Sequence, residues 1–128
     1  MKKLQKLCIF LIGLQALHSL EEFSFGFYDV FPLISFMAGF FKTMPQAVFG
    51  ILNLQLLLFL IIIWILSLLG KGWFRMFVLV FSTIELFNGI FHLSVALITL
   101  KYYPGAVTGS FMIPMSLYLL REARKVIE

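Results

Sequence analysis

The chain alternates long apolar runs with short polar breaks, and the runs have membrane-crossing length. About 20 apolar residues cross the hydrocarbon core as a helix. The first run covers about 4–20 and follows a basic Met-Lys-Lys start. Cleavage of this run as a leader would need small residues near "ALHS", where Leu17 and His18 stand, so it reads as a retained helix. The second run, about 46–69, holds "LQLLLFLIIIWILSLL" without a charge, opens after Pro45 and closes on "GKG". Proline suits a first helical turn and glycine ends a helix. The third run, about 73–100, is the longest, which favours tilt. The fourth, about 106–120, is short and contains Gly109 and Pro114, which favour a kink. The pattern predicts an all-α integral membrane four-helix bundle, one domain over 1–128.

The stretch between the first two runs breaks this rule. It carries seven Phe and one Tyr from Phe23 to Pro45. It is too apolar to float in water, yet Gly26, Pro32 and Gly39 interrupt it. A Phe-rich interfacial segment over about 23–44 is expected, folded partly over the outer mouth of the bundle. Anchor and lid both remain open for it.

Composition supports lipid as the solvent. The 128 residues are 62% hydrophobic and 12% charged, with a mean hydropathy of +1.04. Soluble domains run near 25% charged. The single cysteine, Cys8, excludes an internal disulfide and a CxxC metal site. The net charge of +4 lies in small clusters at helix ends, so it reads as a topology signal and not a nucleic-acid patch. Lys2, Lys3, Lys6, Lys71, Arg75, Arg121, Arg124 and Lys125 fall on one side, Lys42 and Lys101 on the other. The positive-inside rule then puts both termini in the cytoplasm. The tail "REARKVIE" reads as an amphipathic stub on that membrane surface.

Against this background the ionisable residues inside the runs stand out. Gln15, His18 and Glu22 share one helix face, and Glu21 is turned further round. Glu85, Asn88 and His92 share a face of the third run. Asn53 and Gln55 sit at similar depth on the second. A charge near the bilayer centre costs roughly 2.5–3.5 kcal/mol, so such residues face the interior and mark function. Singly, each has an ordinary reading: a solvated helix end for Glu21 and Glu22, interhelical glue for Asn88 with His92, a tight turn for "YYPG". Together they describe a buried polar site in the outer half.

"HSLEE" (His18 to Glu22) is an HXXEE motif, and "YYPG" (Tyr102 to Gly105) matches YXPG after a further histidine, His92. The chain resembles the HXXEE-domain family of small bacterial integral membrane proteins over nearly its whole length. The resemblance implies a multi-pass protein of the bacterial inner membrane. It carries over His18, Glu21, Glu22, His92, Tyr102, Pro104 and Gly105, and it implies no reaction.

Three chemistries stay open. His18, Glu22, Glu85 and His92 could hold a divalent metal (Zn, Fe or Mn) and act catalytically on a lipid-like small molecule. Glu21, Asn88, Tyr102, Pro104 and Gly105 would support that site. The same groups could instead run metal-free acid–base isomerisation. A lipid-binding protein or transporter subunit, the latter working as a homodimer among membrane lipids, is the third. HExxH, EF-hand, Walker A and nucleophile-elbow patterns are absent.

Overall fold

The computed structural model describes residues 2–125. Within them the chain forms six helices and no strand: α1 (Lys2–Ser24), α2 (Phe27–Val30), α3 (Pro32–Phe40), α4 (Pro45–Ser67), α5 (Lys71–Thr99) and α6 (Ala106–Lys125). The four long helices cover the four apolar runs to within a few residues at each end; α1 and α6 run longer, and α4 and α5 start earlier and stop slightly short. α1, α4 and the Gly72–Thr99 part of α5 are long and apolar enough to cross a membrane. α6 is not among them; Arg121, Glu122, Arg124 and Lys125 occupy its last turns. The expected C-terminal stub falls partly in α6, and residues 126–128 lie outside the described residues.

Each break has a local cause. Gly26 takes a left-handed φ of 75° between α1 and α2. Phe31 is extended because the ring of Pro32 crowds a helical conformation before it. α3 ends in a Schellman pair, Thr43 N–H to Ala38 O (2.9 Å) and Lys42 N–H to Gly39 O (3.3 Å). The Phe-rich segment is therefore mostly helical, and α2 and α3 pack against α4.

α1 touches α4 and α6, and α5 touches the same two. α5 and α6 approach closely because Gly89 meets Gly109: a Cβ on Gly89 would lie 2.6 Å from the Gly109 carbonyl oxygen. Small residues allow such backbone contact between membrane helices. The buried stripe of α1 runs Leu4, Cys8, Leu11, Gln15, His18, Glu22, turning from apolar to polar along one face. α5 repeats this with Phe74, Val78, Phe81, Ser82, Glu85 and His92. The outer faces are the reverse, with Leu54, Leu58, Phe59 and Ile62 all more than half exposed. Polar side chains inside and large apolar ones outside suit lipid surroundings.

One apolar cluster gathers Leu4, Cys8, Leu11, Phe74, Val78 and Leu119. A second gathers Phe27, Ile34, Ala38, Val48 and Phe49, with Tyr103 against it. Lys3 Nζ meets Glu122 Oε2 at 3.0 Å, so the α1 start and the α6 end share one end of the molecule.

Candidate functional site

His18 and Glu22 stand one turn apart on the inward face of α1. α5 delivers His92 to the same point. The three are 0%, 6% and 2% exposed, and their ligand atoms lie within 4.8 Å of one another. The imidazoles meet edge to face, with centroids 4.7 Å apart. His92 Nε2 is 3.2 Å from Glu22 Oε1, and His18 Nε2 is 3.6 Å from the same oxygen.

The other ring nitrogens fix the tautomers. His92 Nδ1 lies 2.5 Å from the Pro104 carbonyl oxygen, which can only accept, so Nδ1 carries the proton. His18 Nδ1 lies 2.7 Å from Thr108 Oγ1. Thr108 donates its only hydroxyl proton to Glu21 Oε2 at 2.6 Å. Thr108 Oγ1 therefore accepts from His18 Nδ1–H. In the neutral rings both Nε2 atoms carry a lone pair, and both lie close to the Glu22 carboxylate. His18 Nε2 is buried without a hydrogen-bond partner. Three electron-rich atoms this close together and away from water repel unless a cation or proton lies among them.

Glu21 does a different job. Its carboxylate accepts from Tyr102 Oη (2.6 Å), Val107 N–H (3.2 Å), Thr108 N–H (2.8 Å) and Thr108 Oγ1 (2.6 Å). It thus caps the α6 N-terminus, where the helix dipole favours an anion. Burial, and then the Glu21 bond, push the Tyr102 phenol above its ordinary range.

The turn explains the second motif. Leu100 at φ 52° ends α5, and the chain returns through Lys101 to Gly105. A Cβ on Gly105 would sit 2.6 Å from His18 Cε1 and 2.6 Å from His92 Nδ1, at a φ of 87°. Only glycine fits against both rings at that backbone angle. Pro104 supplies the carbonyl, Tyr102 the bond to Glu21.

The two motifs are thus halves of one site: "HSLEE" brings the ligand atoms of α1, and "YYPG" holds the rings. The family model for proteins of unknown function with an HXXEE motif matches residues 9–119. The chain belongs to the HXXEE family. No curated protein and no solved structure matches it.

Glu85 is buried, and its Oε2 has no hydrogen-bond partner, but it is outside the converging set of three. It stands seven residues from His92 along α5, roughly 10 Å at 1.5 Å per residue. Asn88, half-buried between them, is outside that set too. Thr108 was not singled out by the sequence; its place three residues after Gly105, in the first turn of α6, was the available signal. Phe27, whose ring lies 5.2 Å from His92, also escaped notice among many Phe.

Proposed function

We propose that this HXXEE protein is a metal-dependent membrane enzyme acting on a lipid-like substrate, with His18, Glu22 and His92 as the metal ligands. One observation carries the reading: both Nε2 atoms lie 3.2–3.6 Å from Glu22 Oε1 while each Nδ1–H is held from behind. Metal-ligating histidines usually donate their second N–H to a carbonyl or carboxylate. Here His92 donates directly to the Pro104 carbonyl, and His18 donates to Thr108, which donates in turn to Glu21. Ligands about 2.0–2.1 Å from a tetrahedral ion lie about 3.3 Å apart. The 3.2 and 3.6 Å separations at Glu22 fit that spacing. Two imidazoles and one carboxylate suit Zn, Fe or Mn and leave positions open for water or substrate.

The reading includes topology. α1, α4, α5 and α6 cross the bacterial inner membrane as one four-helix bundle, with both termini cytoplasmic and the site in the outer half. The excess of Lys and Arg at the end holding Lys3 and Lys125 supports that orientation. A metal in such a site polarises a substrate oxygen or lowers the pKa of bound water. Glu85, buried further along α5, is assigned to proton handling near the site. The apolar surroundings select a substrate from the membrane.

A second reading has its own support, the 3.2 Å between His92 Nε2 and Glu22 Oε1. That distance brings a base and an acid together, as metal-free isomerisation needs. Metal analysis separates the two. The purified chain in mild detergent is compared with a His18→Ala, His92→Ala double variant of equal helicity. About one metal per chain, lost in the variant, is expected. Absence of bound metal after loading with Zn, Fe or Mn would leave the acid–base reading.

A further inference from the structure

α4 carries two amides two residues apart, and a helix turns such positions to nearly opposite sides. Asn53 faces the bundle, where it accepts from Ser19 Oγ at 2.7 Å and donates to the Phe49 carbonyl oxygen at 3.0 Å. Gln55 faces outward and is exposed. The expectation of an inward polar group therefore holds for Asn53 and not for Gln55. The side-chain hydrogen bonds of α4 are those of Asn53 and Ser67; the Gln55 amide makes none with a described residue. Its neighbours on the outer face are Ile51, Leu58, Ile62 and Ile65, each more than half exposed. Depth makes this position costly. α4 is long and apolar enough to cross a membrane. At 1.5 Å per residue, Gln55 lies about 15 Å from Pro45 and about 18 Å from Ser67. Its side chain is too short to carry the amide to water at either end.

A polar group left unpaired in hydrocarbon is unfavourable, and amide side chains in membranes pair across helices. The spacing on α4 names the partner. Ile51, Gln55, Leu58, Ile62 and Ile65 advance by four, three, four and three, the seam of two supercoiled helices. This seam lies opposite the buried Phe49 and Leu60. α4 is also the least enclosed helix of membrane length, 17% buried along its apolar stretch against 33% for α1 and α5. Acyl chains can cover the apolar positions, but they offer Gln55 neither donor nor acceptor. A second Gln55 offers both: across a two-fold axis, each amide donates to the other's carbonyl oxygen. A single polar residue in such a seam also fixes the register. We infer that a second copy of this chain docks in parallel on the outer face of α4, with Gln55 paired to the partner's Gln55. The inference rests on the membrane-crossing reading of α4 and not on a metal at His18, Glu22 and His92.

The test places the full-length chain in phosphatidylcholine liposomes at a series of lipid dilutions. Energy transfer between copies labelled at an N-terminal tag reads association. The wild type is expected to associate, and Gln55→Leu to associate about tenfold more weakly, as expected for an interhelical amide pair. Because Gln55 is exposed, this change disturbs no buried contact, and unchanged helicity shows the fold intact. Disulfide crosslinking maps the face. Leu58→Cys puts a thiol on the seam and should crosslink; Leu56→Cys, also exposed but turned away from the seam, should not. The native Cys8 is fully buried and does not compete. A chain monomeric at every dilution overturns the inference. So does a Gln55→Leu dimer as tight as the wild type, or crosslinking through Leu56→Cys in place of Leu58→Cys. Retention in alkali-washed liposomes tests the crossing of α4 separately, and loss of the chain from them would overturn both.

Discussion

His92 has an acceptor oxygen beside each ring nitrogen: the Pro104 carbonyl 2.5 Å from Nδ1 and Glu22 Oε1 3.2 Å from Nε2. The carbonyl fixes the proton on Nδ1, so in the neutral ring Nε2 is left as a base close to the carboxylate. His18 repeats the arrangement through Thr108. Orientation from behind is what lets two short sequence motifs, far apart in the chain, act as one site.

Glu21 and Glu22 are adjacent yet differ in role, so their variants should differ. Glu22→Gln removes a proposed metal ligand, and metal binding should be lost. Glu21→Gln weakens the hold on Thr108 and the α6 N-terminus. Metal affinity should then fall about 10–100-fold while sites per chain stay unchanged, as outer partners of metal ligands usually behave. Competition with a chelator of known affinity measures both. Identical losses in the two variants would refute the division of labour.

Gly105 tests the packing of the rings. Gly105→Ala puts a Cβ 2.6 Å from atoms of both histidines and strains a φ of 87°. The variant should lose at least about 1 kcal/mol of stability, and metal binding should weaken with it. Thermal unfolding in detergent, with and without metal, reads both effects. Gly13, where an added Cβ meets nothing within 4 Å, is the control.

Glu122 gives a pH dependence away from the site. Hydrogen bonds from Lys125 and then Lys3 hold its carboxyl down at about 2, against an ordinary 4.5. A depressed carboxylate stabilises the fold above its unfolded pKa, and this is lost as pH falls through the folded one. Its contribution should therefore be present above pH 4.5 and fade between about 4.5 and 2. Other carboxylates titrate there too, so the informative quantity is the difference between wild type and Glu122→Gln. The two unfolding-midpoint curves should converge as pH falls. A constant gap down to pH 2 would show that the Lys3 and Lys125 contacts do not stabilise the chain.

The helices were legible because apolar runs of membrane length leave little choice of structure. His18, Glu22 and His92 were legible because ionisable residues at helical spacing are conspicuous in an apolar run. Glu85 was equally conspicuous, but seven residues along α5 set it about two turns from His92. The rise per residue sets that separation from the sequence alone; what the sequence leaves open is which depth of α5 the Glu22 end of α1 meets. Thr108 was missed for another reason. It acts only once the turn from Leu100 to Gly105 folds α6 back onto α1, which no local pattern encodes. The Phe-rich segment looks irregular in the sequence because Gly26, Pro32 and Gly39 signal breaks, which hide the short helices α2 and α3.

The most direct measurement is a metal titration of the wild type beside Glu22→Gln and Glu85→Gln, each shown folded by helicity. The site built on His18, Glu22 and His92 requires about one metal per chain in the wild type. It requires that binding to survive in Glu85→Gln and to be lost in Glu22→Gln. Full binding in Glu22→Gln, or none in the wild type, would contradict it.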